Sequence, residues 1–273
     1  MKLLVATSES ISADRSFRIP YLRTTFGEIA KIQTDYTRIV LYVNDVTDQE
    51  LADFDRNFDD INVDIEYRRV IRQWYHFSVM CWEHKELIEP FTQSDYTHFL
   101  YYENDIKVTD ENFQYWLETR DLFKRNNLNF YPAFLRIELD EQGQIFSLDV
   151  TEPNILAVVE VEGQRFVSLA QPYHGMYLVD RDMALEHLSS PLFGHFRPYR
   201  NKEVFKGLGQ AESAATGPAY DAVPEGFEHR CLIPVSNFYR CWVHHLPNFY
   251  VKNRPLNFGT LPVARVLGQT SLI

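Results

Sequence analysis

The sequence predicts an α/β fold: a mainly parallel sheet with helices on both faces, followed by a mixed, partly antiparallel half. Two observations carry this. Over residues 1–126 short apolar runs, β-branched or aromatic and ending in polar residues, alternate with stripes at helical spacing, the pattern of strands joined by right-handed crossovers. Beyond residue 127 the apolar runs are separated by tight polar turns instead, as in hairpins.

Taken in order, the first strands are "KLLVATS" (Lys2 to Ser8), "RIVLYVN" (Arg38 to Asn44), "VDIEYRRV" (Val63 to Val70) and "THFLYYE" (Thr97 to Glu103). Leu51, Phe54 and Phe58 form a helical stripe after a Thr47 to Glu50 capping box, whose side chains satisfy the first free backbone donors. A second stripe, Phe77, Met80, Cys81, His84, Leu87, Ile88 and Phe91, precedes the fourth strand. A third helix is expected from about Asp110 to Asn126, capped by Thr109. In the second half "NFYPAFLRIEL", "GQIFSLDVT", "ILAVVEVEG" and "QRFVSLA" read as strands, and "MALEHLSS" as a short helix. Residues 201–227, with Gly207, Gly209, Gly217, Pro218, Pro224 and Gly226, are the least regular and are expected to form a loop over a site. One elaborated domain, 1–273, is expected, with halves at 1–126 and 127–273.

A formal net charge of −11 opposes non-specific binding to a phosphate backbone, so no nucleic-acid partner is expected. An anionic ligand would need a metal ion, placed cations or a helix N-terminus to overcome that field. The three cysteines, Cys81, Cys231 and Cys241, make no CxxC pair, which fits a reducing compartment. "MKLLVATSES" has too short an apolar run for a signal peptide, and no segment reaches the roughly 18 apolar residues of a membrane span. A cytoplasmic protein without a transmembrane segment is expected, with peripheral membrane association left open.

The fourth strand ends in Glu103, Asn104 and Asp105, where a parallel sheet presents its ligands. Carboxylates at i and i+2 of an extended segment point the same way, so Glu103 and Asp105 are expected to approach one ion, with Asn104 facing away. Oxygen ligands suit Mg²⁺ or Mn²⁺, which keep positions for substrate phosphates. Solvated turn residues, or a cap for the next helix, are the plainer reading. The first β-to-α loop, "TSESISADR", offers Thr7, Ser8, Ser10 and Arg15 for a nucleotide, and Lys85 departs from the apolar stripe of its helix. Sequences GxGxxG, GxxxxGK[ST], GxSxG and HExxH are all absent.

The alternating half closed by "YYENDI", together with "YPAFLRIE", "QPYHGMYLVD" and "HHLPNFY", resembles the GT-A class of nucleotide-sugar glycosyltransferases, whose short acidic DXD signature holds a divalent metal against the donor diphosphate. Here the first position is Glu rather than Asp. The resemblance implies a GT-A-like fold in which 1–126 binds the nucleotide-diphosphate sugar and 127–273 the acceptor, a glycan or lipid-linked hydroxyl. It implies a metal, Mn²⁺ or Mg²⁺, on Asp105, Glu103 and His245, the last chosen over its neighbour His244, and a nucleotide-sugar contact at Asn104. Tyr173 and His174 are the expected acceptor contacts, with inward packing of these aromatics as the alternative. Glu138 and Glu212 are the candidate bases, although Arg136 shares a strand face with Glu138 and is a ready ion-pair partner. Two rivals stay open: a nucleotidyltransferase acting on sugar phosphates, and a non-catalytic glycan-binding protein of the same fold.

Overall fold

The structure, a computed structural model, describes residues 1–70, 77–193, 209–252 and 258–268. In chain order the elements are β1 (Lys2–Glu9), α1 (Ile19–Ile29), β2 (Tyr36–Asn44), α2 (Asp48–Asp55), β3 (Asp64–Val70), α3 (Ile88–Gln93), β4 (His98–Tyr102), β5 (Ile106–Lys107), α4 (Asp110–Arg125), β6 (Tyr131–Pro132), β7 (Leu135–Leu139), β8 (Ile145–Ser147), β9 (Ile155–Val161), β10 (Gln164–Leu169), β11 (Met176–Asp180), α5 (Arg181–Ser189), α6 (Gln210–Thr216), β12 (Cys231–Pro234), β13 (Trp242–His245), α7 (Phe249–Lys252) and β14 (Leu261–Pro262). Short 3-10 stretches run over Ala13–Arg18, Phe77–Leu87 and Gly217–Tyr220.

Two compact units emerge: residues 1–106 with 175–218, and residues 107–174 with 219–273. The first therefore includes 175–218, a stretch that lies in the expected second half.

In the first unit five strands run in the order β11-β4-β1-β2-β3. β1 pairs in parallel with both β2 and β4, and β2 with β3. Leu3, Val5 and Ala6 are wholly buried because a central parallel strand is covered on both faces, which is why it reads as a continuous apolar run. Leu22, Phe26 and Ile29 of α1 bury one stripe of that helix, and Pro20 stands in its first turn, where no backbone donor is lost. The expected capping box opens α2: Thr47 accepts from the Glu50 N–H, and the Glu50 side chain accepts from the Thr47 N–H. The edge strand β11 is antiparallel to β4, from Met176 opposite Tyr102 to Asp180 opposite His98.

Two expectations, one of a helix and one of a loop, are corrected here. The Phe77–Phe91 stripe forms a 3-10 run followed by the six-residue α3, not one α-helix. Within 201–227, positions 201–208 lie outside the described residues; 210–216 are α-helical and 217–220 form a 3-10 turn, so the segment is more regular than its glycines and prolines imply.

The second unit opens with α4, where Thr109 and Asn112 reproduce the box with an amide in place of the usual acid. The Asn112 amide also donates to the carbonyls of Arg240 and Trp242, both at 2.8 Å, which ties the helix start to the strand entering β13. Leu122, Phe123, Phe130, Val161, Phe166 and Leu232 make its core. The hairpins expected from sequence are present in β9–β10 and β7–β8, but β12 pairs with β6, and β13 with β7, in parallel. None of the described helices is long and apolar enough to cross a membrane.

Candidate functional site

β1 runs one residue further than its apolar pattern, to Glu9, which is 3 % exposed. The loop that follows is pinned to the end of β2: the Ile11 N–H donates to Asn44 Oδ1 at 2.6 Å, and Asn44 Nδ2 donates to the Ile11 carbonyl at 3.1 Å. At this carboxyl end of the sheet a cleft of about 310 Å³ opens, lined by the loop (Glu9 to Ser12), Arg18, Ile19 and Leu22 at the start of α1, and Glu50, Asp53 and Phe54 of α2. Ile11, Ile19, Leu22 and Phe54 give it an apolar lining, while Glu9, the loop serines, and Glu50 and Asp53 of α2 add polar and acidic groups.

The acidic tripeptide meets this cleft by a route that strand geometry alone does not give. β4 stops at Tyr102, and the Ile106 N–H donates to the Glu103 carbonyl at 2.8 Å, so residues 103–106 form a turn. The alternation that would aim Glu103 and Asp105 the same way ends with the strand. Asn104 then points inward, correcting the expectation that it faces away: its Nδ2 donates to the Ser8 carbonyl at 2.6 Å and to Glu9 Oε2 at 2.9 Å. The charge of Glu103, after burial, helps push up the Cys81 thiol.

Arg18 joins these groups. Its Nε donates to Glu9 Oε2 at 3.0 Å, and its Nη2 donates to Asp105 Oδ2 at 3.0 Å and to Asn104 Oδ1. Burial opposes the guanidinium charge, but the charges of Asp105 and Glu9 outweigh it and raise the arginine above its ordinary value. Three oxygen acceptors from β1 and from the turn after β4 thus converge on one cation at the cleft wall. Glu9 and Arg18 have no conspicuous signal in the sequence. Arg18 immediately precedes the Ile19-Pro20 helix start, and that position was its only clue.

The other expected donor contacts are placed as follows. Thr7 is buried and its hydroxyl donates to the Tyr102 carbonyl at 2.8 Å, a strand-to-strand bond. Ser8 contributes its carbonyl to Asn104, as above, and the Ser10 N–H donates to Glu9 Oε1 at 2.8 Å. The side chain of Arg15 lies outside the described residues. Lys85 is 1 % exposed; it hydrogen-bonds His187 Nε2 and sits over the Tyr177 ring at 5.1 Å, within the first unit rather than on the cleft. Glu212 is half-buried at the start of α6, its carboxylate where a side chain on Gly209 would begin.

In the second unit Glu138 is fully buried, with Oε1 2.6 Å from His245 Nδ1 and Oε2 accepting from the Val251 N–H at 2.7 Å. Its carboxylate orients the His245 ring. His244 pairs with Asn248 at 2.9 Å, and burial lowers its pKa. Tyr173 and His174 pack inward: the Arg136 guanidinium lies 4.5 Å from the Tyr173 ring, and His174 stacks on Tyr131. Arg136 pairs with Asp149, not with Glu138 as its strand face suggested.

A divalent metal is implied by the resemblance. Among the described residues no three His, Cys, Asp or Glu side chains are grouped so as to hold one. Glu9, Asn104 and Asp105 nevertheless present only oxygen toward the guanidinium, a donor set that suits a hard cation completed by ligand oxygens and water.

No family model matches the sequence, and no curated protein matches it either. Among solved structures, S. aureus TarS matches at 10 % identity over 68 % of this chain and 30 % of that one, with a TM-score of 0.38. The bifunctional glycosyltransferase WbbM matches at 12 % identity over 68 % and 34 %, TM-score 0.33. The glycosyltransferase GlyE of Streptococcus pneumoniae TIGR4 matches at 11 % identity over 69 % and 38 %, TM-score 0.31. This chain therefore spans about a third of the length of each. With TM-scores below 0.5, these likenesses carry no argument about this chain.

Proposed function

We propose that the protein is a glycosyltransferase that takes a sugar from a nucleotide-diphosphate sugar and passes it to a hydroxyl of a glycan or lipid-linked acceptor. The observation that carries this reading is the cleft at the carboxyl end of β1, with Ile19, Leu22 and Phe54 as an apolar patch and Arg18, held among Glu9, Asn104 and Asp105, at its wall. Parallel sheets bind nucleotides at this edge, and the two chemistries of the cleft match the two parts of a donor. The base and ribose lie against Ile19, Leu22 and Phe54, and the diphosphate lies at Arg18.

A divalent ion held by Asp105, Asn104 and Glu9 would supply charge neutralisation to the diphosphate and to the departing nucleoside diphosphate. The chain's own groups bind and orient the donor and shield it from water. Inversion or retention aside, the acceptor hydroxyl must lose a proton. Of the two expected bases, Glu138 is sealed in a core with both oxygens engaged. Glu212, half-buried at the start of α6, is the carboxylate we assign to that task.

The test is a thermal-shift panel of nucleoside diphosphates with and without Mn²⁺, using the intact chain and Asp105→Asn. A ligand at a hundredfold excess over its dissociation constant stabilises by about 2.7 kcal/mol, a shift of several degrees. UDP or GDP is expected to raise the melting temperature of the parent and not of the variant. If no nucleoside diphosphate shifts the parent at any metal concentration, the donor assignment fails.

A further inference from the structure

Thr119 stands inside α4 at 7 % exposure and lines a pocket of about 250 Å³ in the second unit. A threonine hydroxyl within a helix commonly donates to a carbonyl three or four residues earlier. Thr24, Thr25, Thr92 and Thr216 each do so, at 2.6–3.1 Å. The Thr119 hydroxyl makes no hydrogen bond with any described residue. A buried hydroxyl left in this way carries a desolvation cost, and a ligand in the pocket would supply the missing bond.

The charged groups of the lining are paired with one another. Arg240 donates to both oxygens of Glu118, at 2.6 and 3.1 Å. Arg125 donates to Asp121 at 3.0 Å and to both oxygens of Glu162, at 2.9 and 2.7 Å. With each lining arginine matched by carboxylates, an anion finds no open cation and a cation must displace an arginine. The remaining polar lining is neutral: Gln164 at the start of β10, and Ser236 and Asn237 just after β12, all exposed and making no side-chain hydrogen bond with described residues. Their hydroxyl and amide groups both donate and accept. Tyr115, Leu122 and Phe166, at 3, 2 and 1 % exposure, give the pocket an apolar base.

A ligand that fits is neutral, carries hydroxyls that donate and accept, and has one apolar face, which is the chemistry of a pyranose ring. The volume, just under the usual range of about 300–1,000 Å³ for drug-sized ligands, suits one ring rather than an extended chain. We infer that this pocket binds a single neutral sugar unit, with the Thr119 hydroxyl bonded to one of its hydroxyl groups and the amides of Gln164 and Asn237 to others. The pocket shares no residue with the donor cleft, so it can hold a sugar whether or not that cleft holds a nucleotide.

The experiment titrates the methyl glycosides of glucose, galactose and N-acetylglucosamine into the intact chain, with binding followed by saturation-transfer magnetic resonance. At least one is expected to bind, and Thr119→Val is expected to weaken it about threefold to tenfold, the scale of one neutral hydrogen bond. The same variant is expected to keep or raise the melting temperature, because a methyl group replaces a hydroxyl that has no hydrogen-bond partner among the described residues. Gln164→Ala, and Asn237→Gly, which keeps the left-handed backbone at φ 54°, are expected to weaken binding by a similar factor. Neither UDP nor inorganic phosphate is expected to displace the glycoside. Failure of all three glycosides to bind, binding that Thr119→Val leaves unchanged, or displacement by UDP or phosphate overturns the assignment. If circular dichroism shows that Thr119→Val does not fold, Gln164→Ala at its exposed position decides.

Discussion

Asp105 pairs with Arg18, and the charge of Glu103, two residues before it, bears on the Cys81 thiol. Sequence pattern placed Asp105 at the right edge of the sheet but assumed that the strand continued through it. The turn closed by the Ile106 N–H brings Asn104 and Glu9 into the cluster, and a turn rotates side chains in ways a period of two does not describe. Glu9 follows a serine at the end of an apolar run and looks like any polar strand end, so its burial was illegible. Replacing Glu9 by Gln leaves the guanidinium with one charged partner fewer in a largely buried setting, and urea unfolding should show a loss of about 1–3 kcal/mol. Glu212→Gln, by contrast, should lower turnover by about a hundredfold or more, the scale of general-base catalysis, with its melting temperature unchanged. A turnover within twofold of the parent would remove Glu212 from the mechanism.

At the scale of elements, the strands β1 to β4 and the helices α2 and α4 were legible because apolar runs and capping residues are local signals. Thr47 with Glu50 and Thr109 with Asn112 close their boxes as chemistry requires. Thr47→Ala should cost about 1 kcal/mol, as loss of an N-cap does, read as a lower denaturant midpoint at unchanged slope. The 3-10 run from Phe77 to Leu87 was not legible, since its residues sit at spacings that suit an α-helix as well. Its packing with the 3-10 turn at Gly217 has a sharp steric signature. A Cβ on Gly217 would stand 2.6 Å from His187 Cε1 and 3.4 Å from Lys85 Nζ. Gly217→Ala should therefore destabilise by about 1–3 kcal/mol through overpacking, measured by thermal unfolding. A neutral effect would mean that the Lys85 and His187 side chains yield without cost.

For the whole molecule, stability should depend on pH through histidines kept neutral by burial. His84 lies well below its ordinary value because burial disfavours its charge, and His229 and His244 are lowered for the same first cause. A group whose folded pKa is depressed takes up its proton preferentially on unfolding. Its contribution is thus fully present above the unfolded value of about 6.5 and is lost as pH falls below it, each imidazole adding a slope of up to about 1.4 kcal/mol per pH unit. Denaturant midpoints at pH 7.5, 6.5 and 5.5 should be level across the first interval and fall across the second. The three cysteines offer a second readout. All are buried and their thiols are pushed up, Cys231 to about 12, so none should react with iodoacetamide at pH 8 until the chain unfolds.

The antiparallel edge strand β11 has a consequence for how the chain is made. The sheet that carries the cleft is begun by residues 2–9 and finished only when residues 176–180 pair with β4. A nascent chain leaving the ribosome holds β4 with an open edge through some seventy residues of further synthesis, at about 5–20 residues per second. An open strand edge with Phe99, Leu100 and Tyr101 along it is a template for the wrong partner. A fragment ending at residue 126 should accordingly self-associate, whereas adding residues 175–218 back to it through a short linker should restore a soluble species. Translation speed through residues 107–174 then sets how long the chain is exposed to misassembly.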